Sequence, residues 1–447
     1  MAPLSAARKA AFDVLLAVEQ SKAHSDQLLR GRAVNRLSTA DRNLATALVL
    51  GTLRWQVRLD FELRALLARP NAKLDVEVRI ALRMGALQLR HMNRIPAHAA
   101  IDESVELTRN SGHSFAARMV NAVLRKLAAT APPEYKADSA TELALAEAHP
   151  AWLVERWTCF YGIDAARAIC AHGQRQPALV LRLTGAEAEA DLLSHGVEVR
   201  PGALLSQARI ASGGDLANSS AFRAGGIRVQ DEGSQLVAEL VGRGKALLDL
   251  CAAPGGKTMI LVERNPGSRV VACDASEVRL QQLKTRLSDA NLQVELHRTD
   301  AAEWSGKEAF DVVLADVPCS GTGTLGRNPE IRHRLRDADL PRQARRQCAV
   351  LNAALQAVKP GGHVIYSTCS LEPEENENVV RAVLAERTDV TSVSLAMRVE
   401  ELREEGVVTA NGAQQLAACV TPEGFLRLLP GVSGTDGFFV ARINRIV

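Results

Sequence analysis

The stretch Asp249-Leu-Cys-Ala-Ala-Pro-Gly255-Gly256-Lys257-Thr258 decides how the C-terminal half of this 447-residue chain folds. An apolar run, 246–250, leads into it, and a helical pattern follows. A strand ending in a glycine-rich turn that opens a helix is the unit of open α/β sheets, which bind ligands at the carboxyl ends of their strands. Further apolar runs at 269–273, 294–297, 311–315 and 363–367 alternate with helix-like segments such as 277–290 and 344–358. Continuous apolar strands separated by helices predict a parallel sheet covered on both faces.

The turn excludes two nucleotide motifs. A P-loop needs a glycine five positions before its Gly-Lys-Thr, and Cys251 stands there. The dinucleotide fingerprint Gly-x-Gly-x-x-Gly is also absent. An adenosyl ligand such as S-adenosyl-L-methionine remains. Asp274 ends the second strand, 18 residues beyond Gly256, where a carboxylate can accept both hydroxyls of a ribose. Asp300 follows the third strand and suits an adenine amino group, and Asp316 ends the fourth. A lone Asp is most often a turn or cap residue. Asp249, Asp274, Asp300 and Asp316 at four successive strand ends favour the ligand.

Two more strings fall on the same edge: Asp316-Val-Pro-Cys319-Ser-Gly-Thr-Gly323 and Ser367-Thr-Cys369-Ser-Leu-Glu-Pro-Glu-Glu-Asn376. Each puts a Cys just beyond a strand. A single such Cys is usually a small core residue; two at adjacent strand ends mark a mouth, where a thiolate can be a nucleophile. No His or Cys stands close by at metal-ligand spacing, so no metal is expected. A methyl donor beside a thiolate fits one problem well. Carbon 5 of a pyrimidine is a poor nucleophile until a thiolate adds to carbon 6 and makes it enamine-like. A base must then remove the carbon 5 proton and the thiolate must leave. An acid near ring nitrogen 3 helps the addition, and Asp316 is in the right neighbourhood.

Upstream the pattern differs. Residues 4–128 read as successive helices, with Leu44, Leu48 and Trp55 at helical spacing and Ser38 with Asp41 as a helix start. Thr130-Ala-Pro-Pro133 stops them. Residues 136–225 are mixed, with a helix over 152–170 and short strands at 178–184 and 208–211. The expectation is three parts: a helical bundle (1–135), a small connecting α/β module (136–225) and the α/β ligand-binding part (226–447).

Composition bounds the rest. With 47% hydrophobic and 23% charged residues the chain is neither disordered nor fibrous. No run approaches a membrane span and no secretory leader is visible, so a cytoplasmic protein with free thiols is expected. The net charge of +3 hides an asymmetry: residues 1–135 carry 20 basic and 12 acidic residues, a net +8, while 226–447 carry 26 and 29. Such a basic end suggests an anionic partner. Of the basic residues 44 are Arg and 10 Lys, a bias that a GC-rich genome explains. Seven arginines crowd into 327–346; Arg327, Arg332 and Arg334 are the candidates for phosphate contact, although such a run is more often a solvated face.

Together the three strings resemble the RNA 5-methylcytosine methyltransferases, on a Rossmann-like class I methyltransferase fold. The resemblance implies that Cys369 is the nucleophile, that Cys319 helps release the product and that Asp316 orients and protonates the cytosine. It implies an S-adenosyl-L-methionine site at Cys251, Ala252, Ala253, Pro254, Gly255, Gly256, Lys257, Asp274, Asp300 and Asp316. Asp436-Gly-Phe-Phe439 resembles the family's last strand. In the helical part, Leu50-Gly-Thr-Leu-Arg-Trp55, Arg83-Met-Gly-Ala-Leu-Gln88 and Val120-Asn-Ala-Val-Leu-Arg125 resemble the NusB-like RNA-binding domain. That combination is similar to the bacterial RsmB/Sun family, which methylates one cytosine, numbered 967, in 16S rRNA. The partner so implied is 16S rRNA, free or partly assembled into the small subunit, with a monomeric enzyme and no membrane. Gly326 and His333 stand where the family usually has an Arg and a Trp. The same chemistry on tRNA, or a non-catalytic RNA-binding assembly factor, are the competing readings; the paired cysteines argue against the second.

Overall fold

The computed structural model describes residues 4–20, 23–185 and 187–446. The chain forms two compact units. One runs from the N-terminal segment through Gln176 and takes in Leu325–Arg334; the other holds Pro177–Thr324 and everything from Leu335 onward. Residues 136–225, read above as one connecting module, are divided between them.

The helical unit is built on Ala6–Glu19, Thr39–Leu66, Val76–His91, Ala97–Asn110 and Ala117–Ala129. Ser38 caps the long second helix by accepting from the Asp41 N–H, while its hydroxyl donates to the Asp41 carboxylate. Val76–His91 is the central helix, with Ile80, Leu82, Met84 and Leu87 buried on several sides. Gly85 permits a close helix crossing: a Cβ there would lie 2.5 Å from Leu124. Three further helices, Ala140–Ala146, Ala151–Tyr161 and Ile163–Gln174, belong to this unit. The helix expected over 152–170 is broken at Gly162, whose φ of 84° suits glycine alone.

The segment 325–334 is woven into the same unit. The Arg332 guanidinium is 1% exposed and donates to the backbone carbonyls of Arg54, Ala148 and Gly173. Burial pulls it down to about 9, so it stays charged at neutral pH. Glu330 accepts from the N–H and hydroxyl of Ser25, and Arg334 donates to the carbonyls of Val18 and Ala23. Gly326 offers its carbonyl to Arg54, and His333 bonds the Leu53 carbonyl. Arg332 and Arg334, considered above for phosphate contact, therefore direct guanidinium N–H groups to backbone carbonyls inside this unit. Arg327 is half-buried.

The second unit carries two sheets. β1 (Leu179–Leu183), β2 (Glu198–Pro201), β3 (Ala208–Ser212) and β4 (Ile227–Val229) form an antiparallel sheet in the order β2-β3-β1-β4. The large sheet holds β5 (Ala246–Asp249), β6 (Arg269–Asp274), β7 (Glu295–Arg298), β8 (Phe310–Asp316), β9 (Val358–Thr368), β10 (Val390–Val393), β11 (Leu426–Leu428) and β12 (Phe438–Arg445). Its order is β10-β12-β9-β8-β5-β6-β7, with β11 beside β12. The five strands read from the apolar runs are the parallel ones; β10, β11 and β12 add an antiparallel edge.

Alternation divides the core. Leu248, Val313, Ala315, Val364 and Tyr366 face the helices Leu340–Ala357 and Glu377–Ala385. Leu247, Val312, Leu314 and Ile365 face Glu232–Leu240, Gly256–Arg264 and Leu395–Glu404. Among the described residues no helix is long and apolar enough to cross a membrane.

Because Arg332 satisfies carbonyls from three separate segments, Arg332→Met should lower the stability of the helical unit by roughly 3 kcal/mol. Urea unfolding followed by tryptophan fluorescence checks this, since Trp55, Trp152 and Trp157 lie there. An unchanged midpoint would show that the guanidinium is dispensable.

Candidate active site

The parallel order β7-β6-β5-β8-β9 runs outward in both directions from β5 and β8, so the carboxyl ends of those two strands form the topological switch point of the sheet. The turn after β5 lies there. The Ala252 N–H donates to the Cys273 carbonyl at the neighbouring strand, and the Ala253–Pro254 peptide is cis. Gly255 has φ 102°, and a Cβ on it would lie 2.3 Å from Leu283. No other residue type fits both the angle and the space.

A cavity of about 340 Å³ opens over this turn. Cys251 and Ala253 line it on one side, with Asp274 and Asp300; Asp316, Cys319 and Cys369 line the other. Ala252, Pro254, Gly255 and Gly256 shape the turn without lining the cavity, and Lys257 reaches across to Asp316. Asp274 is buried, with one oxygen accepting the Ser276 N–H and the other 3.3 Å from Arg279. Asp300 accepts the Ala302 N–H and pairs with Arg346 at 3.1 Å. The cavity has the size of a small-ligand site. Its carboxylates suit ribose hydroxyls, an amino group and a sulfonium charge, and the turn allows the close backbone approach that an adenosyl ligand needs. The residues present fit S-adenosylmethionine.

Asp249 is different from the other three. It lies behind the turn, fully buried, with one oxygen bonded to the Thr258 hydroxyl at 2.8 Å and the backbone N–H of Cys251 directed at the carboxylate. Burial, reinforced by the nearby Asp316, pushes its carboxyl up to about 7.

Asp316 holds the centre. It pairs with the Lys257 ammonium at 2.7 Å and accepts the Ser367 hydroxyl at 2.7 Å. Although burial opposes its charge, Lys257 is held above the ordinary lysine value by Asp316, and Phe438 presents its ring 5.5 Å from that ammonium. The sulfurs of Cys319 and Cys369 stand 3.4 Å apart. That hydrogen bond, then burial, raises Cys319 well above the ordinary thiol value. Burial raises Cys251 likewise, so it stays a protonated wall of the cavity. The loops carrying Cys319 and Cys369 are bound together: the Gly323 N–H donates to the Cys369 carbonyl, and the Leu371 N–H to the Thr322 hydroxyl. The Gly437 N–H closes a third loop onto the Gly323 carbonyl.

A family model for 16S rRNA methyltransferases RsmB/F matches residues 241–444, and the NusB family model matches 5–129. The probable ribosomal RNA small subunit methyltransferase B of Bacillus subtilis (strain 168) is 33% identical over 98% of both chains. The ribosomal RNA small subunit methyltransferase B of Pseudomonas putida is 34% identical, again over 98% of both. The chain belongs to the RsmB/F family. Among solved structures, that of PH0851 superposes with a TM-score of 0.80 over 100% of this chain and 99% of its own, at 25% identity. A methyltransferase homolog from Pyrococcus horikoshii shares the fold over 69% of this chain and 99% of its own, with a TM-score of 0.55 at 24% identity. The protein is a methyltransferase that depends on S-adenosylmethionine, with a NusB-type helical part.

Several residues of this RsmB/F site escape a reading of motifs. Arg279 and Arg346 line the cavity from helix positions with no distinguishing neighbours. Arg346 belongs to the arginine run, yet its partner is Asp300. Gln347 and Glu375 sit behind the two cysteine loops. Glu375 stands in the acidic string Glu-Pro-Glu-Glu, whose charge would place it in solvent; its complete burial is visible only in the fold.

The raised Asp249 carboxyl makes a signed prediction. Between its ordinary value of 3.8 and about 7 the folded chain keeps a proton that the unfolded chain releases. The resulting stabilisation is complete below pH 4 and disappears as pH rises through 7. Asp249→Asn has no proton to lose, so its urea midpoint should gain on the wild type from pH 5 to about pH 7 and level off above it. A constant difference would show that Asp249 is already ionised at acid pH.

Proposed function

We propose that this protein methylates carbon 5 of a cytosine in 16S rRNA through a covalent bond between Cys369 and carbon 6 of the base. The observation that carries this is the pair of thiols 3.4 Å apart at the mouth of the adenosyl-sized cavity. Binding RNA or cofactor alone needs neither thiol. The target is the cytosine the family numbers 967, and the RNA is met in the cytoplasm, free or partly assembled.

Each residue has a task in that reaction. Asp316 accepts from the cytosine amino group and orients the ring over Cys369. The Cys369 thiolate adds to carbon 6 while the Lys257–Asp316 pair, the proton-bearing group at that point, protonates nitrogen 3. Bound S-adenosylmethionine supplies an electrophilic methyl group to the carbon 5 thus activated. Release requires the carbon 5 proton to pass to solvent, the electrons of that bond forming the carbon 5–carbon 6 double bond while the carbon 6–sulfur bond breaks and its electrons return to Cys369. Cys319, kept protonated, is the donor that stabilises the departing thiolate. Nitrogen 3 then returns its proton to the pair, and the net proton lost is the one that carbon 5 exchanged for methyl.

The relatives named for ribosomal RNA small subunit methylation and the NusB-type unit support rRNA over tRNA. Cys369→Ala should abolish methyl transfer to 16S rRNA with cofactor binding retained. Cys319→Ala should accumulate an RNA–protein adduct that survives a denaturing gel. Bisulfite sequencing of rRNA and tRNA from cells with and without the protein locates the mark. Transfer to tRNA alone, or turnover by Cys369→Ala, would overturn the assignment.

A further inference from the structure

Glu375 takes no part in the chemistry above, yet its carboxylate sits at the junction of both cysteine loops. It is 0% exposed. One oxygen accepts the backbone N–H of Ser320 at 2.8 Å and the side-chain amide of Gln347 at 3.0 Å. The other accepts the hydroxyls of Ser320 and Ser370, which are themselves 2.9 Å apart. Ser320 directly follows Cys319, and Ser370 directly follows Cys369. One carboxylate therefore grips the same position in both loops.

The surroundings fix the grip. Gln347 also donates to the Pro318 carbonyl on the other flank of Cys319. The Tyr366 hydroxyl donates to the backbone carbonyl of Glu375, and Asn376 donates to the Ser370 carbonyl. A buried carboxylate is expensive unless its lone pairs are all satisfied, and four donors do that here. Besides the contacts between the two thiols and between the two hydroxyls, bonds between the loops lie further along, at Thr322 and Gly323. Without the carboxylate, four donors are left facing one another beside the thiols.

We propose that Glu375 is a positioning residue that sets the separation of Cys319 and Cys369, and hence the release of the methylated base. The proposal rests on the roles given above to the two cysteines. Its geometric half can be measured without RNA. Diamide oxidises neighbouring thiols to a disulfide, the two hydrogens passing to diamide, and the rate of closure reports their separation.

Three variants decide the matter. In Glu375→Ala the Cys319–Cys369 closure should slow at least about tenfold, turnover should fall about a hundredfold, the scale of an ångström-size misplacement, and the RNA adduct should accumulate as in Cys319→Ala. Cofactor affinity should stay within about threefold. Ser320→Ala removes one arm of the grip with little loss of packing, and should slow closure about threefold and turnover about tenfold; it carries the test if Glu375→Ala does not fold. Glu375→Gln should behave within about threefold of the wild type, because its oxygen still accepts from Ser320 and Gln347 while its amide donates to the two hydroxyls. Unchanged closure and adduct levels in Ser320→Ala and in folded Glu375→Ala would overturn the proposal, and so would a Glu375→Gln as impaired as Glu375→Ala. Failure of the cysteine assignment looks different: Cys369→Ala would still turn over while closure still slowed in Glu375→Ala.

Discussion

The active site depends on the register of two neighbouring parallel strands. β8 pairs with β9 so that Asp316 lies opposite Ser367. Cys319 comes three residues after the first and Cys369 two residues after the second. Because strand residues alternate faces with a rise of about 3.3 Å, a slip of one residue would turn Ser367 away from Asp316 and part the two thiols. The register is held by what lies beneath: Val313 and Ala315 on β8, with Val364 and Tyr366 on β9, are all buried in one core. The chemistry at the strand ends is thus specified by apolar residues several ångströms below it.

That arrangement collects carboxylates at one end of the sheet and must manage their repulsion. Each has a different answer. Asp316 is paired with a half-buried lysine, Asp300 with an arginine, and Asp274 lies beside Arg279. Asp249, too deep for a counter-ion, keeps its proton to about pH 7. Glu375 relies on four hydrogen-bond donors instead of a cation. The outcome is a site that can bear a negative thiolate on one side and attract a positive sulfonium on the other.

Much of this was legible in residue order, for a physical reason. Strand–turn–helix units are local, so the apolar runs marked the parallel strands and the aspartates marked their ends. The nearness of Cys319 to Cys369 could be inferred because adjacent strand ends adjoin. Contacts that cross between elements left no local trace. β10 and β11 are short, and their antiparallel pairing is decided by β12, which for β10 lies more than forty residues along the chain. Glu375 reads as one acid among several. The helices of 140–174 looked like part of a connecting module, because nothing in their own pattern tells which core they cover.

The arginines show most clearly where composition misleads. A net +8 over 1–135 reads as a surface for an anion, but charge counts in a long-range field only where it is free of a partner. Arg83 is buried between Asp60 and Glu19, and Arg58 and Arg90 share Glu62. Those three arginines and three carboxylates cancel one another, so the +8 is carried by the other residues. Exposed basic residues remain, such as Arg118 and Arg125, seven apart on one helix and so on one face. In the run 327–346 the division is by position. Arg332 and Arg334 are fastened to carbonyls of the helical unit, whereas Arg336, Arg342 and Arg345 are exposed, the last two on the helix Leu340–Ala357 whose Arg346 and Val350 line the cavity. A guanidinium serves either as a donor fork that closes backbone or as a mobile charge for phosphate; burial, not sequence density, decides which.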